Sequence, residues 1–349
     1  MQIPEVKPLD RGLEDKICRK LDTLTKPVGS LGILEQIARQ LALIQKTLTP
    51  SIKKKRVYVF ASDHGIALEG VSAYPQEVTA QMVLNFLGGG AAINVFSKHT
   101  GTEVFVVDAG VKSDIEGLHK NLIVNKVGNS TKSFLTGPAM TRAQAEACVA
   151  NGIELAEQAL KDKVDLLIIG DMGIGNTTVA TAIAVASGIN IDKVIDIGTV
   201  IDSATLERKK GTVIKAMDCN KPDASDAIDI LSKVGGFCIG QMTGLMLGAA
   251  ARGIPVVLDG FPVTSAALLA CKLEPKAKDY LFAGHLSFVK GHAELLNFLD
   301  LKPILKLEMR LGEGTGGVLA VSLMEAAVKM LNEMASFESA GVSKGSEGN

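Results

Sequence analysis

The stretch that decides the fold is Val164-Asp-Leu-Leu-Ile-Ile-Gly-Asp-Met-Gly-Ile-Gly-Asn-Thr-Thr178. It begins as an apolar run without polar alternation, which is typical of a strand buried on both faces of a parallel sheet. It continues through a glycine turn, Gly170–Thr178, into a helical pattern that ends before Gly188. Such a turn predicts an anion site, because free N–H groups and the helix dipole face the ligand. A phosphate is the expected occupant.

The same turn also has a purely structural interpretation, because glycine turns occur wherever packing is tight. It is not a Walker loop, since Gly-Lys-Ser/Thr is missing, and its GxxGxG order differs from the dinucleotide fingerprint GxGxxG. The pattern nevertheless favours phosphate binding. The residues expected around that phosphate are Asp171, Gly173, Gly175, Asn176, Thr177 and Thr178.

Apolar runs elsewhere in the chain repeat the alternation of strand and helix. Helical patterns at Thr141–Leu160, Thr177–Ser187 and Gly240–Ala251 lie between buried strands, which predicts βαβ units and an α/β fold with a parallel sheet. In an open sheet of this kind ligands bind at the carboxyl ends of the strands, so we expect the turns there to converge on one pocket. The predicted strands are Val57–Ala61, Glu103–Val107, Val164–Ile169, Val194–Ile197, Pro255–Leu258 and Tyr280–Ala283.

The two ends of the chain are expected to be helical. Residues 1–50 contain two helical stripes, with Ser30 as the predicted N-cap of the second, and residues 318–340 contain another. We expect these ends to pack together as a small helical domain and residues 51–317 to form a large α/β catalytic domain. The Ser/Gly/Glu-rich tail, residues 341–349, is expected to be disordered.

Composition excludes several classes of function. The 37 basic and 38 acidic residues balance, and with no Trp and 3 Tyr the chain lacks both the charge and the stacking surfaces for nucleic-acid binding. No run reaches the roughly 18 uncharged apolar residues of a membrane helix, so no membrane insertion is expected. The amino terminus does not have the layout of an export signal. Five scattered cysteines, never in a CxxC pair, indicate a reducing cytoplasm.

The acid best suited to catalysis lies in Leu311-Gly-Glu-Gly-Thr-Gly-Gly317. Gly312 and Gly314 leave the carboxylate of Glu313 unshielded and let a substrate approach it, which favours a general base. The structural alternative is a helix-capping or hinge acid, although Thr315 could supply that cap instead. The local pattern leaves both interpretations open.

Other polar residues are less specific. Asp63-His64-Gly65, His285 and His292 could be metal ligands, but seven residues between histidines is not a usual ligand spacing, so loop anchors are favoured and no metal is expected. Lys209 lies in a charged run that is either a solvated helix face or a source of an amine for the phosphate. Tyr74 and Met82 are either core residues or part of a pocket wall.

By these and further motifs, the chain closely resembles the nicotinate-nucleotide–dimethylbenzimidazole phosphoribosyltransferase family. The resemblance runs from about residue 20 to residue 336. Its motifs are Leu24-Thr-Lys-Pro-Val-Gly-Ser-Leu-Gly32, Asp63-His-Gly65, Glu69-Gly-Val-Ser-Ala-Tyr-Pro75, Gly89-Gly-Ala-Ala-Ile-Asn94, Gly170–Thr178, Lys233-Val-Gly-Gly-Phe237, Leu258-Asp-Gly-Phe261 and Arg310–Gly317.

The resemblance implies a cytoplasmic homodimer with a Rossmann-like α/β large domain and a small helical domain from both termini. It implies nicotinate mononucleotide as the phosphoribosyl donor and an aromatic base, 5,6-dimethylbenzimidazole, as the acceptor, with no cofactor. Glu313 matches the family's catalytic base. The donor site matches Gly173, Gly175 and Lys209 and includes Gly312 and Gly314, and the acceptor site matches Tyr74, Met82 and Met172.

The chain also departs from the family pattern. The family usually has Glu at Asp171, an acid at Cys238, Gly at Val200 and often Glu at Val289. Tyr74 and Met82 form an apolar wall that would also accept a phenol, so the main alternative is a phenol-activating (p-cresol-activating) subunit that works as a heterodimer with a related chain. Two further alternatives are a Mg²⁺-dependent transferase that uses pyrophosphorylated ribose and a non-catalytic subunit that stabilises a sister chain.

Overall fold

Parallel strands form a single sheet in the computed structural model, which describes residues 1–115, 119–195 and 203–343. The strands are β1 Lys55–Ser62, β2 Glu103–Gly110, β3 Leu122–Val124, β4 Leu166–Met172, β5 Val256–Leu258, β6 Leu281–His285 and β7 Pro303–Leu305. Their spatial order is β3-β2-β1-β4-β5-β6-β7, and every neighbouring pair is parallel. The predicted α/β class with a Rossmann-like sheet is confirmed, and the sheet is parallel throughout its described strands.

Helices connect these strands. In chain order they are α1 Glu14–Thr23, α2 Ile33–Ile44, α3 Val78–Gly88, α4 Ala92–Thr100, α5 Arg142–Lys161, α6 Asn176–Ala186, α7 Ile191–Val194, α8 Ser203–Asn220, α9 Ala227–Val234, α10 Phe237–Ala251, α11 Phe261–Leu273, α12 Lys290–Leu299 and α13 Thr315–Glu333. Short 3₁₀ turns lie at Arg11–Leu13, Gly65–Glu69 and Pro275–Tyr280.

The strand order reverses between β1 and β4, and this reversal creates a crevice at their carboxyl ends. Every residue of β1 is buried, which explains why its sequence does not alternate between apolar and polar residues. In the register of the two strands Phe60 lies opposite Asp171 and Ala61 lies opposite Met172. The glycine turn after β4 therefore begins at the crevice.

Some predicted elements were wrong. The segment predicted as strand Val194–Ile197 is the end of α7 as far as the structure describes it, because Asn190 caps that helix by accepting from the Asp192 N–H; residues 196 and 197 lie outside the described residues. Ser30 is not the N-cap of α2, since the helix begins after Gly32. The edge strands β3 and β7, which have three residues each, were not predicted at all.

The two ends of the chain meet. The Thr25 N–H donates to the Ala335 carbonyl and the Phe337 N–H donates to the Thr23 carbonyl, while α2 packs on α13. The division into a small helical and a large domain stays a prediction. Residues 344–349 of the predicted tail lie outside the described residues.

One helical stretch among the described residues, Val78–Thr100, has the length and hydropathy of a membrane span. It is two helices rather than one, because Gly89 adopts a left-handed conformation with φ +80° between α3 and α4. A span needs about 20 continuous helical residues. The break therefore argues against a span, and the apolar character of this stretch calls for another explanation.

Candidate active site

A cavity of about 440 Å³ lies at the carboxyl ends of β4, β5 and β6. Five segments line it, and they fall within residues 71–82, 171–177, 259–263, 285–289 and 310–313. Most of the predicted site residues line this one cavity: Tyr74, Met82, Asp171, Met172, Gly173, Gly175, Asn176, Thr177, Gly312 and Glu313. Thr178, Lys209 and Gly314 do not line the cavity and lie behind its wall.

Glu313 is held in an unusual backbone conformation. Its φ is +64°, and it lies between Gly312 at +88° and Gly314 at +93°. The side chain is only 5% exposed, and its Oε2 accepts a hydrogen bond of 3.3 Å from the Ile93 N–H in the first turn of α4. Burial raises the pKa of this carboxyl group, while the Ile93 N–H opposes the rise and the charge of Asp259 adds to it. The result is a carboxylate more basic than an ordinary glutamate.

The capping interpretation of Glu313 is partly correct, but for a different helix. Its carboxylate contacts the amino terminus of α4, whereas α13 begins after Gly314 and has no capping side chain of its own at that position. The hydroxyl of Thr315 donates to the Gly312 carbonyl and closes the turn. Glu313 thus contacts a helix and also lines the cavity. One of its carboxylate oxygens accepts from the Ile93 N–H, which leaves the other oxygen for a substrate.

The glycine turn brings the amino terminus of α6 to the cavity. Gly175, with φ +91°, is the N-cap, and the first residues of the helix line the cavity wall. Gly173 is needed for packing, because a Cβ there would overlap the Ser62 carbonyl oxygen. Tight packing therefore fixes the turn, and the positive end of the α6 dipole faces the cavity, while phosphate binding at the turn stays a prediction.

Lys209 lies on α8 behind this turn and is 1% exposed, so the solvated-face interpretation is wrong. Its ammonium group donates to the Thr177 hydroxyl at 3.1 Å. A cation at the amino terminus of a helix adds to the positive end of the helix dipole. Together they favour an anion such as a phosphate group at the start of α6.

Asp171, at the end of β4, is almost fully enclosed. Its Oδ2 accepts a 2.7 Å hydrogen bond from the Asn176 amide, so the carboxylate holds the first residue of α6. Burial raises the pKa of Asp171 to about 6; hydrogen bonds from Asn176 and Cys238 oppose the rise, and the charge of Asp259 adds to it. The Cys238 sulfur also lies 3.8 Å from Nε2 of His64. Two of the departures from the family pattern, Asp171 and Cys238, thus contact each other beneath the turn.

The predicted acceptor wall consists of apolar side chains. Tyr74 is half exposed at the mouth of the cavity, while Met82 and Met172 are partly buried and pack against the core. Val78 and Phe261, which the sequence did not single out, extend this wall. Such a surface fits a flat aromatic ligand.

Four polar residues of the cavity were not among the predicted site residues, namely Asp259, His285, Ser287 and Arg310. Asp259 and Arg310 lie in motifs of the family resemblance, and His285 was predicted only as a loop anchor. Asp259 follows β5 and His285 ends β6, so their position after buried strands was the available signal. Within the described ranges no group of three or more His, Cys, Asp or Glu side chains could hold a metal ion. Val289 lines the cavity, whereas Val200 lies outside the described residues.

Comparison with known proteins identifies the family of this chain. A family model described as phosphoribosyltransferase matches residues 6–342. A Geobacter sp. (strain M21) protein named nicotinate-nucleotide–dimethylbenzimidazole phosphoribosyltransferase is 48% identical over 341 residues, covering 97% of each chain. A Chloroflexus aggregans protein of the same name is 49% identical over 346 residues, covering 99% of this chain and 98% of its own.

Solved structures show the same relationship. The crystal structure of nicotinate-nucleotide–dimethylbenzimidazole phosphoribosyltransferase from Thermus thermophilus superimposes with a TM-score of 0.91 at 44% identity, covering 96% of this chain and 100% of that chain. Sequence and fold therefore agree over almost the whole length. The chain belongs to the nicotinate-nucleotide–dimethylbenzimidazole phosphoribosyltransferase family.

Proposed function

We propose that the protein transfers the phosphoribosyl group of nicotinate mononucleotide to 5,6-dimethylbenzimidazole in this cavity. The products are nicotinate and α-ribazole 5′-phosphate, which is used to assemble the nucleotide loop of cobamides. The names of the relatives supply the two substrates. The observation that carries the residue roles is that the buried carboxylate of Glu313 lines the same cavity as the amino terminus of α6. The carboxylate can accept a proton, and the amino terminus of the helix can bind a phosphate.

The reaction needs one proton acceptor. A benzimidazole nitrogen attacks the anomeric carbon of the ribose while the bond from that carbon to nicotinate breaks. Nicotinate departs with the bonding pair as a neutral pyridine ring, so it needs no proton. The proton on the other benzimidazole nitrogen passes to Glu313, and attack opposite the leaving group inverts the β-nucleotide to an α-riboside. General-base help of this kind contributes about 10²–10⁴ in rate.

The phosphate cradle supplies positioning. The N–H groups at the start of α6, the Thr177 hydroxyl and the Lys209 ammonium form a positive region around the proposed 5′-phosphate. Fixing the phosphate fixes the ribose, which brings its anomeric carbon between donor and acceptor rings. Positioning of this kind accounts for much of the remaining rate enhancement.

The acceptor is bound by the apolar wall of Tyr74, Met82 and Met172. A flat, apolar pocket suits dimethylbenzimidazole, whose methyl groups gain from burial. The phenol-activating alternative is not favoured, because relatives that match nearly the whole chain are named for dimethylbenzimidazole. Family membership likewise disfavours a Mg²⁺-dependent transferase that uses pyrophosphorylated ribose.

We further propose a cytoplasmic homodimer. Only 28% of the most apolar window of 18 residues within Val78–Thr100 is buried in one chain, and the stretch exposes Leu84 and Val95. Apolar side chains exposed on two consecutive helices favour an association surface. The same stretch contains Met82 and the Ile93 N–H that contacts Glu313, so a second copy seated there would lie close to the cavity. All five cysteines are free, which suits a reducing compartment.

A product panel tests the proposed function. The purified chain, incubated with nicotinate mononucleotide and an excess of chelator, is offered dimethylbenzimidazole, adenine, phenol or p-cresol, and products are identified by mass. We expect fastest turnover to α-ribazole 5′-phosphate by the chain alone. Faster turnover with a phenol, or no turnover until a related chain is added, would overturn the assignment.

A further inference from the structure

The turn that carries Glu313 is closed by Thr315, but its backbone conformation needs further support from outside the turn. Three consecutive residues, Gly312 to Gly314, have positive φ angles of +88°, +64° and +93°. Glycine adopts such angles freely, so the two flanking residues give the turn no stiffness. A glutamate there is strained and persists only when its surroundings impose the conformation. Something outside the turn must therefore fix it.

Asp259, at the end of the neighbouring strand β5, supplies that constraint. Its Oδ2 accepts from the Gly314 N–H at 3.1 Å, and its Oδ1 accepts from the N–H groups of Gly316 at 2.8 Å and Gly317 at 3.1 Å. The side chain is 1% exposed. Because α13 has no capping side chain at Gly314, one carboxylate from another element satisfies three backbone donors at its amino terminus.

Packing closes the turn from two further sides. A Cβ on Gly316 would overlap Cδ2 of His285, so that imidazole ring lies directly against the first turn of α13. Nε2 of His285 is 3.3 Å from Oδ1 of Asp259, which places the ring beside the capping carboxylate. On the other side, a Cβ on Gly170 would overlap the Glu313 carbonyl oxygen.

We propose that Asp259 is a positioning residue for phosphoribosyl transfer: it ties the first turn of α13 to the end of β5 and thereby holds the Glu313 carboxylate at the acceptor. The proposal rests on the role of Glu313 as the base. Asp259 acts through Glu313 and its backbone rather than on either substrate. A displacement of about 1 Å in a reacting group can cost about 10²-fold in rate.

The test is a double-variant cycle. Asp259→Asn, Asp259→Ala, Glu313→Gln and the combined variants are compared for kcat, the KM for the donor and the calorimetric Kd for nicotinate mononucleotide. We expect Asp259→Ala to lower kcat by about 10–100-fold and to leave donor Kd within about twofold. Asp259→Asn keeps one carbonyl acceptor for Gly316 and Gly317, so its loss should be smaller. In the Glu313→Gln background either change should cost less than about threefold, because the group being positioned is gone.

Asp108→Asn is the matched control for stability. Asp108 is also buried at the end of a strand and accepts the N–H groups of Gly110 and Val111, but it does not line the cavity. Its replacement should lower the melting temperature without changing kcat. Asp259→Asn differs from the native residue by one atom type, so it keeps the packing and is expected to fold even if Asp259→Ala does not.

Three results would overturn the inference. Folded Asp259 variants could keep wild-type kcat, donor Kd could weaken as much as kcat falls, or the losses could multiply fully in the Glu313→Gln background. The last two would indicate direct contact with substrate. If Glu313→Gln alone keeps wild-type kcat, the proposed base has failed instead, and the two failures are thereby distinguished.

Discussion

Glu313 and Lys209 are two buried side chains of opposite charge at the candidate site. Glu313 and Lys209 are each almost completely excluded from solvent, and an ionised group in such a place needs a specific partner. Glu313 accepts from the Ile93 N–H and Lys209 donates to the Thr177 hydroxyl. Glu313 lines the cavity, and Lys209 adds positive charge behind the start of α6. We therefore infer that Glu313 acts on a proton and that Lys209 favours a phosphate.

Lys209→Ala should weaken donor binding. Lys209 lies behind the cavity wall and acts on the phosphate through the Thr177 hydroxyl. An interaction with a charged group is worth about 1.5–3 kcal/mol, so we expect the donor KM to rise about 10–100-fold with kcat changed far less. Steady-state kinetics with varied nicotinate mononucleotide measure this. Lys210→Ala is the control, because the neighbouring ammonium pairs with Asp192 instead. An unchanged KM in Lys209→Ala would contradict a phosphate role.

Asp171 should make stability depend on pH. Its pKa rises from 3.8 in the unfolded chain to about 6 in the folded protein, so the protonated carboxyl group favours folding. This contribution is fully present below about pH 4 and is lost as the pH rises through 6. Asp171→Asn should therefore gain about 1–3 kcal/mol relative to wild type between pH 4 and pH 7. Urea unfolding at several pH values measures this difference.

The control for that experiment is Glu308→Gln, because Glu308 is exposed. If the Asp171→Asn difference changes between pH 4 and pH 7 no more than the Glu308→Gln difference does, the folded protein does not hold Asp171 at a raised pKa.

The sequence predicted a role for Glu313 but not one for Asp259, and the reason is physical. Glu313 stands between two glycines, and an acidic residue flanked by glycines can be recognised from the sequence alone. The role of Asp259 depends on three backbone N–H groups that lie more than fifty residues further along the chain. Only the packing of β5 beside α13 brings them together, so no local pattern could predict that contact.

Among the helices and strands, glycines in β4 and β6 allow the start of α13 to pack closely against the sheet. Gly170 in β4 lies against the Glu313–Gly314 peptide, and a Cβ on Gly284 in β6 would lie 2.7 Å from the Gly317 Cα. Side chains at these positions would push the start of α13 away from the strands. The glycine content of the Leu311–Gly317 turn therefore reflects close packing as well as access to Glu313.

Gly170→Ala should disturb this contact. The added methyl group would overlap the Glu313 carbonyl, and overpacking of this kind costs about 1–3 kcal/mol. We expect lower stability in urea and a fall in kcat, because the Glu313 turn must move. Gly211→Ala on α8 is the control, since its Cβ would meet nothing within 4 Å and alanine favours helix. Wild-type activity in Gly170→Ala would contradict the close packing of the turn.

The long elements were predictable, whereas the two edge strands of the sheet and the short helix α7 were not. The helix over Arg142–Lys161 has 20 residues and a Thr141 cap, so its pattern was clear. The predicted strand at Val194 failed because a few β-branched residues fit a strand and a short helix equally well, and the Asn190 cap decided the outcome. The three-residue edge strands β3 and β7 form because they pair with β2 and β6, which is a tertiary contact.

At the scale of the whole molecule, the strand order places the site. The sequence predicted parallel strands, but adjacency between β1 and β4 comes from tertiary packing, and this adjacency opens the crevice at Asp171. The convergence of the turns after β4, β5 and β6 was predicted from the rule for open α/β sheets, and the cavity confirms it.

The proposed homodimer should depend on the apolar surface of α3 and α4. Leu84→Glu combined with Val95→Glu places two charges on that surface, which should convert a dimer into a monomer in sedimentation velocity. Phe298→Glu is the control, because Phe298 is equally exposed on α12, away from this stretch. A wild-type chain that sediments as a monomer, or a double variant that remains dimeric, would contradict the proposed interface.

The most direct measurement is the turnover of Glu313→Ala with saturating nicotinate mononucleotide and dimethylbenzimidazole, alongside the donor Kd and the exposed control Glu308→Ala. Removal of the base should lower kcat at least about a hundredfold, with the fold and donor Kd preserved and the control unchanged. Turnover of Glu313→Ala near that of the wild type would show that another group accepts the proton.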